Sequence, residues 1–204
     1  MATSSVKLRI EGMQDVLELL DSKNAQRASS RSLKRMTQMV KTEASSTIRD
    51  EYNIRKADLD PYMVMKLPAW NELTSEITVT GKPISLIYFG ARQLTAQNRV
   101  ISWKSGKQLK RSSRSLQGGV TYQIIKGRTM NLPHAFIAYD SRLNRVTVFQ
   151  RKGKTRLAIK AIRFITIASL FASQKTMDAI HVKINDSWTK VFKHELLFAL
   201  DKQG

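Results

Sequence analysis

The sequence contains no cysteine. That excludes a disulfide scaffold, a thiolate metal site and a cysteine nucleophile together. No apolar run approaches the roughly 18 residues that a membrane-crossing helix needs. The first residues, Met1 to Lys7, lack the apolar core of a secretory signal, so the expectation is a protein of the cytoplasm with no membrane partner. Proline is rare, four in 204 residues, which leaves room for long uninterrupted elements. Acidic side chains are missing from much of the chain: between Glu76 and Asp178 the only one is Asp140.

Basic residues fill that gap. The chain has 35 Lys and Arg against 16 Asp and Glu, a net charge of +19. Residues 1–80 are nearly balanced at +1, residues 81–130 carry +10 with no acid at all, and residues 131–204 carry +8. A field so one-sided attracts polyanions, either nucleic acid or an acidic protein surface. Charge of this kind serves either partner, and it also serves solubility. The apolar share, 42%, is that of a folded globular chain.

Periodicity divides the chain into helical ends and a stranded middle. A short strand is expected at Lys7–Ile10, then a helical stretch carrying Met13, Val16, Leu17 and Leu20 on one face. From about Lys23 to Tyr52, Ala25, Ala28, Leu33, Met36, Val40, Ala44, Ile48 and Tyr52 recur at helical spacing without a glycine or proline. Asp60-Pro61 predicts a short helix through Tyr62 to Lys66. Strands are expected around Leu73–Val79, Ile84–Phe89, Val120–Ile125, Ala135–Tyr139 and Val146–Arg151, with Asp140–Asn144 as a hairpin loop. Between Leu94 and Gly119 the run of Gly, Ser, Lys and Arg predicts a mobile basic loop bearing Lys104, Lys107, Lys110, Arg111 and Arg114. The apolar run Ile159–Phe171 reads as a strand or loop turning helical near Ala168, and helical spacing continues to Leu200, with Asn185-Asp186 as a possible kink or division. The fold class is therefore α+β: one domain over residues 1–204, with long N- and C-terminal helices packed against a central, mostly antiparallel sheet.

No catalytic arrangement stands out, and no cofactor is called for. His134, His181 and His194 have none of the short spacings that place two ligands on one helix face. Glu72 and Glu76 belong to the polar side of an alternating strand, where an acid/base pair has no special claim. Gly118-Gly119 lacks the downstream Gly-Lys-Ser/Thr of a phosphate loop and no serine sits in a nucleophile elbow. A phosphoryl-transfer enzyme needs clustered acids for Mg²⁺, which the middle of the chain does not offer. Nucleic-acid binding fits the charge, through phosphates and without base preference. No aromatic–basic interleaving recurs as a stacking platform.

Three segments together resemble the phage minor tail protein Z family, also described as tail completion proteins. They are Thr42–Ile54, Leu86–Gln93 (Leu-Ile-Tyr-Phe-Gly-Ala-Arg-Gln), and Pro133–Ala138 with Val148–Leu157. Ala158 stands where the family pattern expects proline, and Arg163–Ile167 replaces a Gly-Pro-Ser-like turn. The resemblance implies a non-catalytic structural protein of a tailed bacteriophage virion. It would lie at the head-proximal end of the tail and join tail to head as a subunit of a homo-oligomeric ring, beside other tail and neck proteins. Arg92, Gln93, Arg151, Lys152 and Arg156 are then expected at subunit interfaces or within the sheet. The basic loop is expected against DNA or an acidic neighbour. The alternative from the residues alone is a free-standing, sequence-nonspecific nucleic-acid-binding protein.

Overall fold

The computed structural model describes residues 6–9, 22–69, 73–94, 100–101, 118–141, 144–151 and 158–201. In chain order the first elements are β1 (Val6–Arg9), helix α1 (Ser22–Glu51), the single turn α2 (Lys56–Leu59), β2 (Met63–Lys66), β3 (Glu76–Val79), β4 (Pro83–Ile84) and β5 (Arg92–Leu94). After these come β6 (Val100–Ile101), β7 (Val120–Tyr122), β8 (Met130–Leu132), β9 (Ala135–Asp140), β10 (Arg145–Arg151), β11 (Ile159–Ala161), β12 (Ile165–Thr166), α3 (Ile167–Phe171) and α4 (Gln174–Asp201). The class is α+β with long terminal helices, as expected. The described strands are spread over four small antiparallel sheets, of three, three, two and four strands.

The chain forms two compact units. The first comprises Met1–Ile48, Leu59–Lys82 and Ile167–Gly204. Its spine is α1, whose 30 residues run about 45 Å at 1.5 Å per residue. The predicted stripe is buried as far as the helix runs: Ala25, Ala28, Leu33, Met36, Val40, Ala44 and Ile48 are all in the core, while Tyr52, its last predicted member, follows the helix end, is half-buried and bridges to Ile125. Ser29, Ser32, Thr37 and Ser45 are buried among them. Two of these hydroxyls are satisfied along the helix itself, Ser32 Oγ donating to the Ala28 carbonyl and Thr37 Oγ1 to the Leu33 carbonyl, both at 2.7 Å. Small side chains whose polar atoms are already bonded let a neighbour approach closely. Thr37 and Ser75 meet hydroxyl to hydroxyl at 2.5 Å.

A three-stranded sheet, ordered β1-β3-β2, completes this unit with α3 and α4. In β3 the expected alternation holds, with Ile77 and Val79 buried and Glu76 and Thr78 half-buried. The short helix predicted over Tyr62–Lys66 is not formed. Pro61 starts a 3-10 turn (Asp60–Tyr62), and Met63–Lys66 then pairs with β3 in the register Met63↔Val79 and Met65↔Ile77. Ladder bonds to a neighbouring strand outweigh the local helix signal. The C-terminal helical region divides at Ala172-Ser173 and not at Asn185-Asp186. The Ser173 carbonyl accepts from the Met177 N–H at 3.0 Å, and Ser173 Oγ meets Thr176 Oγ1 at 2.9 Å, which starts α4 afresh. Asn185 and Asp186 are exposed, and α4 passes them unbroken. Helices α1 and α4 run antiparallel: Arg31 lies over the Phe198 ring, Arg35 pairs with Glu195 at 2.7 Å and Glu43 with Lys183 at 3.5 Å.

The second unit comprises Arg49–Asp58 and Pro83–Thr166. Its sheets are ordered β6-β5-β7-β8, β11-β10-β9 and β12-β4. The strand predicted over Ile84–Phe89 shrinks to Pro83–Ile84, and Leu86–Phe89 is a 3-10 turn. Ser85 caps that turn and Gly90, at φ 67°, ends it in the left-handed region. Leu86 and Phe89, three residues apart, both reach the core, a spacing that a strand cannot deliver to one face. The hairpin β9–β10 is present, with Asp140 opposite Arg145 and Asn144 at φ 50° in the turn. Strand β8 carries no strong sequence signal and arises by pairing with β7. The end of α1 is tied to the same unit, since the Asn53 N–H donates to the Ile124 carbonyl at 2.8 Å and the Lys126 N–H to the Glu51 carbonyl at 2.9 Å. The helical stretch predicted at Met13–Leu20 lies outside the described residues, as does most of the predicted basic loop.

Candidate functional site

The predicted surface residues are distributed unevenly over the structure. Lys104, Lys107, Lys110, Arg111 and Arg114 lie outside the described residues, as do Lys152 and Arg156. Arg92 is exposed on β5. Its neighbour Gln93, on the opposite face of the strand, is fully buried. The Gln93 amide nitrogen donates to the Gly119 carbonyl at 2.8 Å and to the Leu94 carbonyl at 3.2 Å, while its oxygen accepts from the Ile137 N–H at 2.8 Å. It joins β5 of one sheet to β9 of the next, as a side chain standing in for a strand. Gly119 belongs to the same junction. It adopts φ 80°, and a Cβ there would lie 2.5 Å from the Leu132 carbonyl oxygen.

Arg151 is exposed at the end of β10, with its guanidinium 5.5 Å from the Phe136 ring centre. Phe136 and Phe149 face each other across β9 and β10 with ring centres 5.9 Å apart. Alternation along β10 puts Arg145, Thr147, Phe149 and Arg151 on this one face. Thr147 is fully buried, yet its hydroxyl has no hydrogen-bond partner, and the same holds for the buried Nε of Arg145 and of Arg163. None of these three residues was singled out from sequence. The signal was there in part, as the alternation Arg-Val-Thr-Val-Phe-Gln-Arg over 145–151, whereas Arg163 lies between β11 and β12.

Histidines gather nowhere. His134 is exposed in a turn at φ 60°, and His181 and His194 are exposed on α4. His194 Nδ1 sits 3.6 Å from Glu195, which is already paired with Arg35. Among the described residues no group of three or more His, Asp and Glu is placed to hold a metal ion. Among the described residues, two groups titrate away from their ordinary ranges. Burial, with the adjacent Glu51 carboxylate second, raises the Tyr52 hydroxyl, and the hydrogen bond from Arg55 to Asp58 raises the Arg55 guanidinium. Both are explained by local packing and pairing. No described helix is long and apolar enough to cross a membrane.

The arrangement therefore offers positive charge at the exposed Arg92 and Arg151, the latter beside the stacked Phe136 and Phe149 rings, while the Thr147 hydroxyl stays inside. Comparison with known proteins gives this surface a context. The family model described as prophage minor tail protein Z (GPZ) matches residues 10–202. No curated protein and no solved structure matches the chain. The match spans nearly all 204 residues, including both helical ends and the stranded middle, and the chain belongs to the prophage minor tail protein Z family.

Proposed function

We propose that this structural component of a phage tail completes the head-proximal end of the tail and takes part in joining it to the head. It does so as one subunit of a ring of identical chains, acting over residues 1–204 as a single tail-completion piece without catalysis. The observation that carries the reading is the family match over residues 10–202. The charge distribution supports it, since +10 over residues 81–130 attracts an anionic neighbour. Of the five residues expected at a subunit interface or within the sheet, Arg92 and Arg151 are exposed and belong to the proposed interface, and the buried Gln93 takes the role within the sheet. Lys152 and Arg156 complete that set. Lys104, Lys107, Lys110, Arg111 and Arg114 provide the contact to DNA or to an acidic neighbouring ring. Other tail and neck proteins are the remaining partners, and the host cytoplasm is the site of assembly.

Imaging of virions carrying a tagged chain tests this directly. The expected result is symmetric density at the head-proximal end of the tail. Infection without the protein should leave filled heads and tails unjoined, and purified protein added to the lysate should restore joining. Label along the tube or at the distal tip overturns the reading. A chain absent from virions that binds random duplex at submicromolar strength favours the free-standing nucleic-acid-binding protein.

A further inference from the structure

We propose that the seam between α1 and α4 is a subunit contact, whose cationic surface takes the acidic residues 10–21 of a second copy of the chain. Both helices belong to the first unit. Over residues 22–42 the sequence has Lys23, Arg27, Arg31, Lys34, Arg35 and Lys41 and no acid. The near balance of residues 1–80 hides this, because +6 over residues 22–42 leaves −5 for the rest of that stretch.

Helical spacing collects the charge. Arg31 and Arg35 stand one turn apart on α1, with Lys34 beside Arg35, and all three are exposed. Across the seam, His194 Nδ1 lies 3.4 Å from the Arg35 guanidinium, and the exposed Lys190 stands one turn before His194 on α4. The row is therefore continuous over two elements far apart in sequence. It is also held in place: Arg31 sits over the Phe198 ring at 5.3 Å, and Arg35 donates to Glu195 at 2.7 Å. Within the row the acid is Glu195, buried and already paired, while Asp186 and the Glu43–Lys183 pair lie beyond its Lys190 end. Lys34 and Lys190 make no ion pair among the described residues. Side chains already fixed lose little freedom when a partner arrives.

Charge alone does not separate a protein partner from nucleic acid, but Leu197 and Phe198 do. They are 52% and 42% exposed at the Arg31 end of the row. A phosphate backbone gives an exposed leucine nothing to pack on, whereas a protein surface does. The sequence holds a surface that matches. Residues 10–21 carry Glu11, Asp15, Glu18 and Asp21 and no base. At 3.6 residues per turn Glu11, Asp15 and Glu18 share a face, opposite Met13, Val16, Leu17 and Leu20, and Leu19 falls beside them one turn on from Asp15. These residues lie outside the described ones, so only their sequence bears on the contact. Leu197 and Phe198 stay exposed in the single chain, so the copy that covers them is a second one. An acidic patch on one copy and a cationic patch on the next are different surfaces, which makes the contact head-to-tail, the kind that closes a ring. It rests on the ring reading and adds to Arg92 and Arg151, which belong to the second unit.

The test is sedimentation of the full chain over a concentration series at low and high salt, with two charge-reversed variants. Wild-type protein should associate, and less so as salt rises. Lys34→Glu/Lys190→Glu lowers the net charge from +19 to +15 and so relaxes general self-repulsion, yet it should weaken association about tenfold or more. Glu11→Lys/Glu18→Lys should do the same. Mixed in equal amounts, the two variants should associate again, because each then meets a partner of opposite charge. Lys34 and Lys190 are exposed, so the first variant should melt within about 3 °C of the parent. Polyglutamate should dissociate the wild-type protein, a readout that survives if the second variant fails to fold. The proposal falls if wild-type protein is monomeric throughout the series, if a folded Lys34→Glu/Lys190→Glu variant associates as well as the parent, if polyglutamate has no effect, or if the mixture associates no better than its components. Variants that melt low alone, with stability regained only when all four changes share one chain, put the acidic residues on their own seam and overturn the proposal too. A tagged chain imaged away from the head-proximal end, with the mixture still associating, overturns the placement in the tail and leaves the contact standing.

Discussion

Gln93 shows how much one side chain does in a fold made of short strands. Strands of two to three residues contribute few ladder bonds, so neighbouring sheets need other connections. The Gln93 amide supplies one, with both its oxygen and its nitrogen bonded to backbone and none of it exposed. Gln93→Leu would fill the same space and leave the Ile137 N–H buried without an acceptor. The expected loss is about 2–3 kcal/mol, from a buried orphan donor together with the lost bonds. Chemical denaturation of the two proteins measures it, and a loss under about 0.5 kcal/mol would make the bridge incidental. Gln93→Glu separates geometry from charge. Its oxygen can still accept from Ile137, but burial raises a carboxyl pKa, and here two carbonyl oxygens add to the effect. A raised folded-state pKa means stability present below the unfolded value of about 4.3 and lost as pH rises through the folded one. This variant should therefore melt near the parent at pH 4 and well below it at pH 8.

At the scale of elements, the long helices and the short strands obey different rules. The stripe from Ala25 to Ile48 was legible because 3.6-residue periodicity over 30 residues, free of glycine and proline, leaves one consistent face. Its small residues carry a further consequence: Ala28 and Ser32 are fully buried because something packs close against them. Ala28→Leu should cost about 1–3 kcal/mol through overpacking, whereas Gln38→Leu, the same side chain on the exposed side of α1, should stay within about 0.5 kcal/mol. Equal effects at the two sites would show that the seam is loose. The strands were legible where apolar and polar residues alternate, over four residues in β3 and six or seven in β9 and β10. Met63–Lys66 read as helix because Asp60-Pro61 is a good helix start, and its strand state comes from β3, which the local sequence does not contain. Leu86–Phe89 read as strand because an unbroken apolar run has no period, and a serine cap with a left-handed glycine decided the matter. Of the candidate site, Arg92 and Arg151 were legible as polar ends of strands, whereas the burial of Gln93 was not, because its partners Gly119 and Ile137 come from elsewhere in the chain.

For the whole molecule, net charge acts at long range, and kinetics can show it. Neutralising Lys104, Lys107, Lys110, Arg111 and Arg114 to glutamine takes the net charge from +19 to +14. The polar, like-charged composition of that stretch gives a core little to lose, so the melting temperature should move by no more than about 2 °C. Particle assembly, or retention of DNA in particles, should fall. The five charges add to the long-range field, which governs how often a polyanion arrives. Their loss should mainly lower the association rate with duplex, and the difference from the parent should shrink as salt screens the field over about 10 Å. Stopped-flow association and dissociation with one duplex measures both rates. If the variant instead mainly speeds dissociation, at every salt concentration where binding is measurable, the five side chains dock and do not steer. A large loss of soluble folded protein in the five-residue variant would instead place those side chains within the fold.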